Sequence, residues 1–150
     1  MSIWLELPRR ATGGRPPVSA DAFQRAEQTL GLTFPVTFRR LYTELGDGGW
    51  GPSYGFLPLL DSGEHPYVDS IVGWTESLRL EGHWPWSVVP FAYWGCDHHS
   101  LLNVETGQVG LAPLWAFEDG VPVLWQAPSL EAWLTSWLEG VNLFYPPEDA

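Results

Sequence analysis

Lysine is absent from the 150 residues. That removes a phosphate-binding P-loop lysine, a Schiff-base lysine and a lysine–serine catalytic pair together. Cysteine occurs once, as Cys96, so no intrachain disulfide can form and no zinc site with paired CxxC spacing can be built. Charge is sparse, 17% against 45% hydrophobic residues, which is the reverse of a disordered chain. The longest apolar run, 88–94, is interrupted by Pro90 and falls far short of the ~18 residues of a membrane span. MSIWLELPRR at the N-terminus lacks a basic start followed by an apolar stretch, so no secretory signal is expected. These absences leave one soluble, cytoplasmic domain, long enough to bury roughly 68–70% of its unfolded surface.

Acid and tryptophan are abundant. Seven arginines face eighteen acidic residues, for a net charge of −11. The asymmetry is internal: residues 1–40 hold six arginines and three acids, whereas residues 41–150 hold only Arg79 against fifteen acids. A body this negative repels phosphate backbones and attracts basic proteins. It also keeps a chain with ten tryptophans soluble.

Residues 1–18, rich in Gly, Pro and Arg, show no periodicity and are expected to form an irregular leader. Ser19 is a plausible N-cap, with Phe23, Ala26 and Leu30 at helical spacing and Gly31 as the stop. Pro35 suits a first helical turn, and Phe38, Leu41, Tyr42 and Leu45 make the next stripe before Gly46. The stretch 46–55 contains five glycines and must be a loop with positive-φ or crowded positions. A short broken strand is expected over 56–60 and a helix over 69–81, with Ile71, Trp74 and Leu78 on one face. From Val88 the period changes to that of short strands separated by tight turns, at 95–97, 105–107 and 118–120. Ser129 then opens a helix with Leu130, Trp133, Leu134, Trp137 and Leu138 along one wide stripe, stopped by Gly140. Residues 141–150 read as a tail.

The segments 30–35, 38–42 and 48–55 (Leu-Gly-Leu-Thr-Phe-Pro, Phe-Arg-Arg-Leu-Tyr, Gly-Gly-Trp-Gly-Pro-Ser-Tyr-Gly) resemble the SUKH superfamily, named in part for yeast regulators of cell-wall glucan synthesis. Val89-Pro90-Phe91, Trp94-Gly95-Cys96, the hairpin over 103–109 and the Trp133-Leu134-x-x-Trp137-Leu138 helix resemble its bacterial branch. Asp47 stands where that loop usually carries Asn. The resemblance spans about 19–140, taken as the single domain. It implies an α+β fold: a mainly antiparallel twisted sheet of about five or six strands packed with about four helices. It also implies a binding role, since bacterial members look mostly like immunity proteins that neutralise toxins, many of them nucleases, and the class is not known for catalysis.

Other chemistries remain to be weighed. Gly51-x-Ser53-x-Gly55 matches the GxSxG pattern of a nucleophile elbow. That elbow needs a strand before Ser53 and a helix after it, on a large parallel sheet. Cys96-Asp97-His98-His99 is the densest group of ligand-type residues. Adjacent strand residues point to opposite faces, so His98 and His99 do not chelate one ion easily, whereas Cys96 and His98 with His65 or His83 could. Cys96 is expected to be a small buried turn residue, one histidine to be solvated, and the pair to be a fair pH-sensitive surface patch. Trp74, Trp133 and Trp137 belong on helix stripes and hence in the core, while Trp50, Trp84, Trp86 and Trp115 fall in loops. Loop tryptophans beside acids suit either a protein interface or sugar stacking.

The residues expected to meet a partner are Asp47, Trp50, Tyr54, Glu64, Asp97, His98, Glu118 and Asp119. The partner expected is a basic toxin domain, covered without catalysis, cofactor or metal, and without direct nucleic-acid or membrane contact. The alternatives are a regulator binding a glycan or signalling protein, and a small hydrolase using Ser53 or Cys96.

Overall fold

A computed structural model describes residues 2–60 and 70–144. Among them are six α-helices and one four-stranded antiparallel sheet in the order β1-β2-β3-β4. The strands are β1 (Val88–Gly95), β2 (His98–Asn103), β3 (Val109–Pro113) and β4 (Leu124–Ala127). The α+β class stands. The sheet is smaller than the five or six strands expected, because residues 56–60 add only one bridge, Phe56 to Ala92, along the outer edge of β1.

Both faces of the sheet are covered. Val89, Phe91, Leu102 and Val109 face the larger core, shared with Phe23, Phe38, Leu130 and Trp133. Val88, Leu101 and Ala112 face a smaller one with Leu78, Trp84 and Ala116. Residues on both faces of β1 are therefore mostly buried, which explains why, Pro90 apart, it reads as an apolar run. Two irregularities bend β1, one after Pro90 and one after Tyr93. The first admits a proline that a straight ladder would not accept.

The helices are α1 (Ile3–Arg10), α2 (Ala20–Leu30), α3 (Val36–Arg40), α4 (Ile71–Leu80), α5 (Ala116–Asp119) and α6 (Leu130–Leu138). Ser19, Ser70 and Ser129 cap α2, α4 and α6, each hydroxyl accepting from a backbone N–H three residues on. A π turn over Leu41–Leu45 continues α3. Within it the Tyr42 carbonyl accepts from Val18 N–H at 2.8 Å, and the Tyr42 hydroxyl donates to the Leu57 carbonyl at 2.6 Å.

The leader is not irregular throughout. Residues 3–10 form α1, which buries Ile3 and Leu7. Trp4 lies under the Arg40 guanidinium at 3.8 Å, and Arg10 lies over the Trp137 ring of α6. Its signal was faint: one i, i+4 apolar pair, a Ser2 cap and a Pro8 that argues against helix. Glu118 and Asp119, expected in a turn, lie in α5, which Gly120 ends in the left-handed conformation. Trp133 is fully buried as expected, while Trp74 and Trp137 are half-buried at the core's margin.

Candidate functional site: an acid-rimmed aromatic cleft

A two-residue turn joins β1 to β2. Cys96 and Asp97 both take positive φ, 51° and 64°, the conformation a tight hairpin turn demands at its two central positions. Neither is glycine, so the turn is strained, and it holds the Asp97 side chain exposed at the sheet's end. Behind it, the register shift between Pro90 and Ala92 brings Tyr93 opposite His99, and a second shift, after Tyr93, brings Gly95 opposite His98. The first shift sets the Tyr93 and His99 rings side by side, with centroids 4.8 Å apart. Trp74 of α4 meets the same imidazole edge-on at 6.0 Å.

These groups form one wall of a cleft of about 590 Å³ between α4, the β1–β2 turn and α5. Leu57, Leu78 and Leu114 supply apolar surface, and Trp74, Tyr93 and Trp115 supply aromatic rings. Glu81, Asp97 and Glu118 supply carboxylates from three different elements. No arginine lines it. The ion pairs among the described residues, Glu6–Arg9 and Glu44–Arg40, lie elsewhere. The volume is that of a ligand or side-chain receptacle, and the rim is anionic.

His99 does not offset that charge. It is 5% exposed, and burial pushes its pKa down to about 4, against the opposing pull of the Asp97 backbone and carboxylate and with a smaller contribution from His98. The imidazole is neutral at physiological pH. Its Nδ1 is buried and makes no hydrogen bond of acceptable geometry.

Of the residues expected to meet a partner, Asp97 and Glu118 come together in the cleft. Asp119 is exposed beside Glu118. Tyr54 is 72% exposed and its ring lies tilted against Tyr93, with centroids 5.2 Å apart, extending the aromatic surface outward. Glu64 lies outside the described residues. Trp50 is a correction: it is 5% exposed and packs edge-on against Phe56 at 4.8 Å, so it is a core residue and offers no anchor. Asp47 is also spoken for. Its Oδ1 accepts from Leu59 N–H at 2.7 Å and its own N–H donates to the Arg15 carbonyl, which ties leader, loop and the segment before α4 together. Burial raises its pKa, outweighing the Leu59 hydrogen bond and the charge of Arg15. Next to it, Gly48 has φ 76°, and a Cβ there would sit 2.6 Å from the Phe56 carbonyl oxygen, so only glycine fits.

The cysteine–histidine group does not converge. Cys96 is exposed, contrary to expectation, because a residue at the tip of the turn projects from the sheet. His98 Nδ1–H donates to the Cys96 carbonyl at 2.8 Å, not to its thiol. The His98 ring stands edge-on to Phe144, on the face opposite His99. Among the described residues, no three of His, Cys, Asp and Glu are arranged to hold a metal ion. Ser53 sits exposed in a turn at φ 55°, with only a long contact, 3.5 Å, to the Trp94 carbonyl. No strand leads into it, so the GxSxG match lacks its elbow.

Sequence reading missed Trp74, Glu81, Tyr93 and His99 as site residues. Trp74 and Glu81 are seven residues apart, a spacing that puts them on one helix face. The Tyr93–His99 pairing depends on the register shift beside Pro90; the proline marks an irregularity but does not specify which residues it brings opposite each other.

No helix among the described residues is long and apolar enough to cross a membrane. No curated protein matches the chain. A family model, that of the SMI1 / KNR4 family (SUKH-1), matches residues 17–136. The match runs from the end of the leader to the last turns of α6 and takes in the Gly-rich loop, the sheet and every element of the cleft, so this chain belongs to the SMI1 / KNR4 family (SUKH-1).

Proposed function

We propose that the chain is a non-catalytic, cytoplasmic binding protein of the immunity type, which neutralises a basic toxin domain by lying over its active or substrate-binding surface. One observation carries this reading: three carboxylates, Glu81, Asp97 and Glu118, converge with Trp74, Tyr93 and Trp115 around a cleft that supplies no arginine of its own. Uncompensated charge beside exposed aromatic surface is suited to a cationic protein partner, with the carboxylates steering the encounter and the rings supplying desolvated contact. The net charge of −11 acts in the same direction at longer range.

Co-expression with any basic toxin domain encoded beside this gene tests it. Restored growth and co-purification are expected. Growth arrest with no complex formed would contradict the reading. A second reading, a regulator that binds a glycan, has its own observation in Trp115, 45% exposed beside carboxylates. It predicts tryptophan fluorescence quenched by cell-wall oligosaccharides and unchanged by toxin domains.

A further inference from the structure

We propose that the cleft between α4, the β1–β2 turn and α5 receives an arginine side chain of the partner, its guanidinium flanked by Trp74, Tyr93 and Trp115 and answered by Glu81, Asp97 and Glu118. The inference rests on the protein-binding reading above and names the group that is bound.

Three features select arginine. Leu57, Leu78 and Leu114 supply apolar surface for a methylene stem, and the exposed Glu81, Asp97 and Glu118 supply opposite charge for the head. Three aromatic residues line the same space. A planar, weakly hydrated guanidinium stacks on such faces, which a compact ammonium does less well. The carboxylates come from the end of α4, the turn and α5, and the five N–H donors of a planar guanidinium spread over a wider span than the three of an ammonium to meet them.

Four of the protein's own seven arginines are engaged elsewhere. Arg79, on α4, donates to the Leu30 and Trp86 carbonyls and stacks on Trp86 at 3.4 Å. Arg10, Arg39 and Arg40 lie over Trp137, Phe23 and Trp4. His99 lines the same space, its ring against Tyr93 and Trp74, and as a neutral imidazole it brings no positive charge to oppose a bound cation.

The test uses the full chain and three peptides, Gly-Gly-Arg-Gly-Gly and the same peptide with lysine or citrulline in place of arginine, followed by NMR of backbone amides and the His99 ring. The expected result is a saturable shift of the Trp74, Tyr93, Asp97, His99 and Trp115 resonances with the arginine peptide. The lysine peptide should bind about five- to ten-fold more weakly and the neutral citrulline peptide weakest of all. Glu118→Gln and Asp97→Asn should each weaken the arginine peptide several-fold with amide spectra otherwise unchanged. Equal shifts from arginine and citrulline peptides, shifts confined to other surfaces, or none at about 10 mM peptide would overturn it. Toxin capture that survives these substitutions would remove the arginine cleft and leave the immunity reading standing. Specific arginine binding without any toxin partner would do the opposite.

Discussion

Single residues carry much of the burden here because buried polar groups are few. Asp47 accepts from Leu59 N–H at the cost of a partly desolvated carboxylate. Asp47→Ala leaves that N–H unpaired and should lower unfolding stability by about 1–2 kcal/mol in urea titrations. Asp47→Asn keeps the acceptor and removes the charge, so it should match or exceed the parent at pH 7. The sign follows from the raised pKa: its contribution to stability is present in acid and is lost as pH rises through the folded value, so the advantage of Asn should vanish below the carboxylate range. His99 works the other way. Its folded pKa of about 4 lies below the ordinary 6.5, so between those values the unfolded chain binds a proton that the folded chain refuses. Stability should therefore fall by about 2–3 kcal/mol as pH drops from 6.5 to 4. His99→Phe should flatten that part of the curve, and an unchanged slope would show that another group controls it.

Secondary-structure elements divide into those fixed by local chemistry and those fixed by packing. Replacing Cys96-Asp97 by Asn-Gly supplies the residue types a two-residue turn with positive φ prefers and should raise stability by about 1 kcal/mol in thermal melts. The same change deletes the Asp97 carboxylate and should weaken partner association, so strain and binding reside in the same two residues. Helix α1 is held by packing. Removing residues 1–11 exposes the surface that Ile3 and Leu7 cover and should cost about 3–5 kcal/mol. No change in the melting curve would mean that the helix is loosely attached. This division also decides what was legible in the sequence. The caps at Ser19 and Ser129, the stops at Gly31 and Gly140 and the Asn103-Gly107 turn follow from side-chain and φ requirements, and each appears where its residues place it. Helix α1 and the burial of Trp50 depend on contacts with Trp137 of α6, remote in the chain, and no local pattern encodes them. In the cleft, Asp97 and Glu118 stood out as acids near predicted turns. Trp74 and His99 did not, because a tryptophan on an amphipathic stripe and a histidine on a strand read first as core.

At the scale of the whole molecule, charge and shape act together. The acids outnumber the arginines most heavily beyond residue 40, where the cleft lies, while six of the seven arginines precede it in the chain. Association with a basic partner should therefore be steered, with an on-rate that falls steeply as salt is raised and a dissociation rate that changes much less. The central claim, that this protein acts by presenting its acid-rimmed cleft to another protein, is tested most directly by growth rescue. Cells producing a basic toxin domain that the parent chain binds would carry either the parent chain or the combined variant Glu81→Gln, Asp97→Asn, Glu118→Gln, with the two shown to be equally folded and equally abundant. Survival with the parent and death with the variant is the predicted result; equal survival with both would place the protective surface elsewhere and contradict the account.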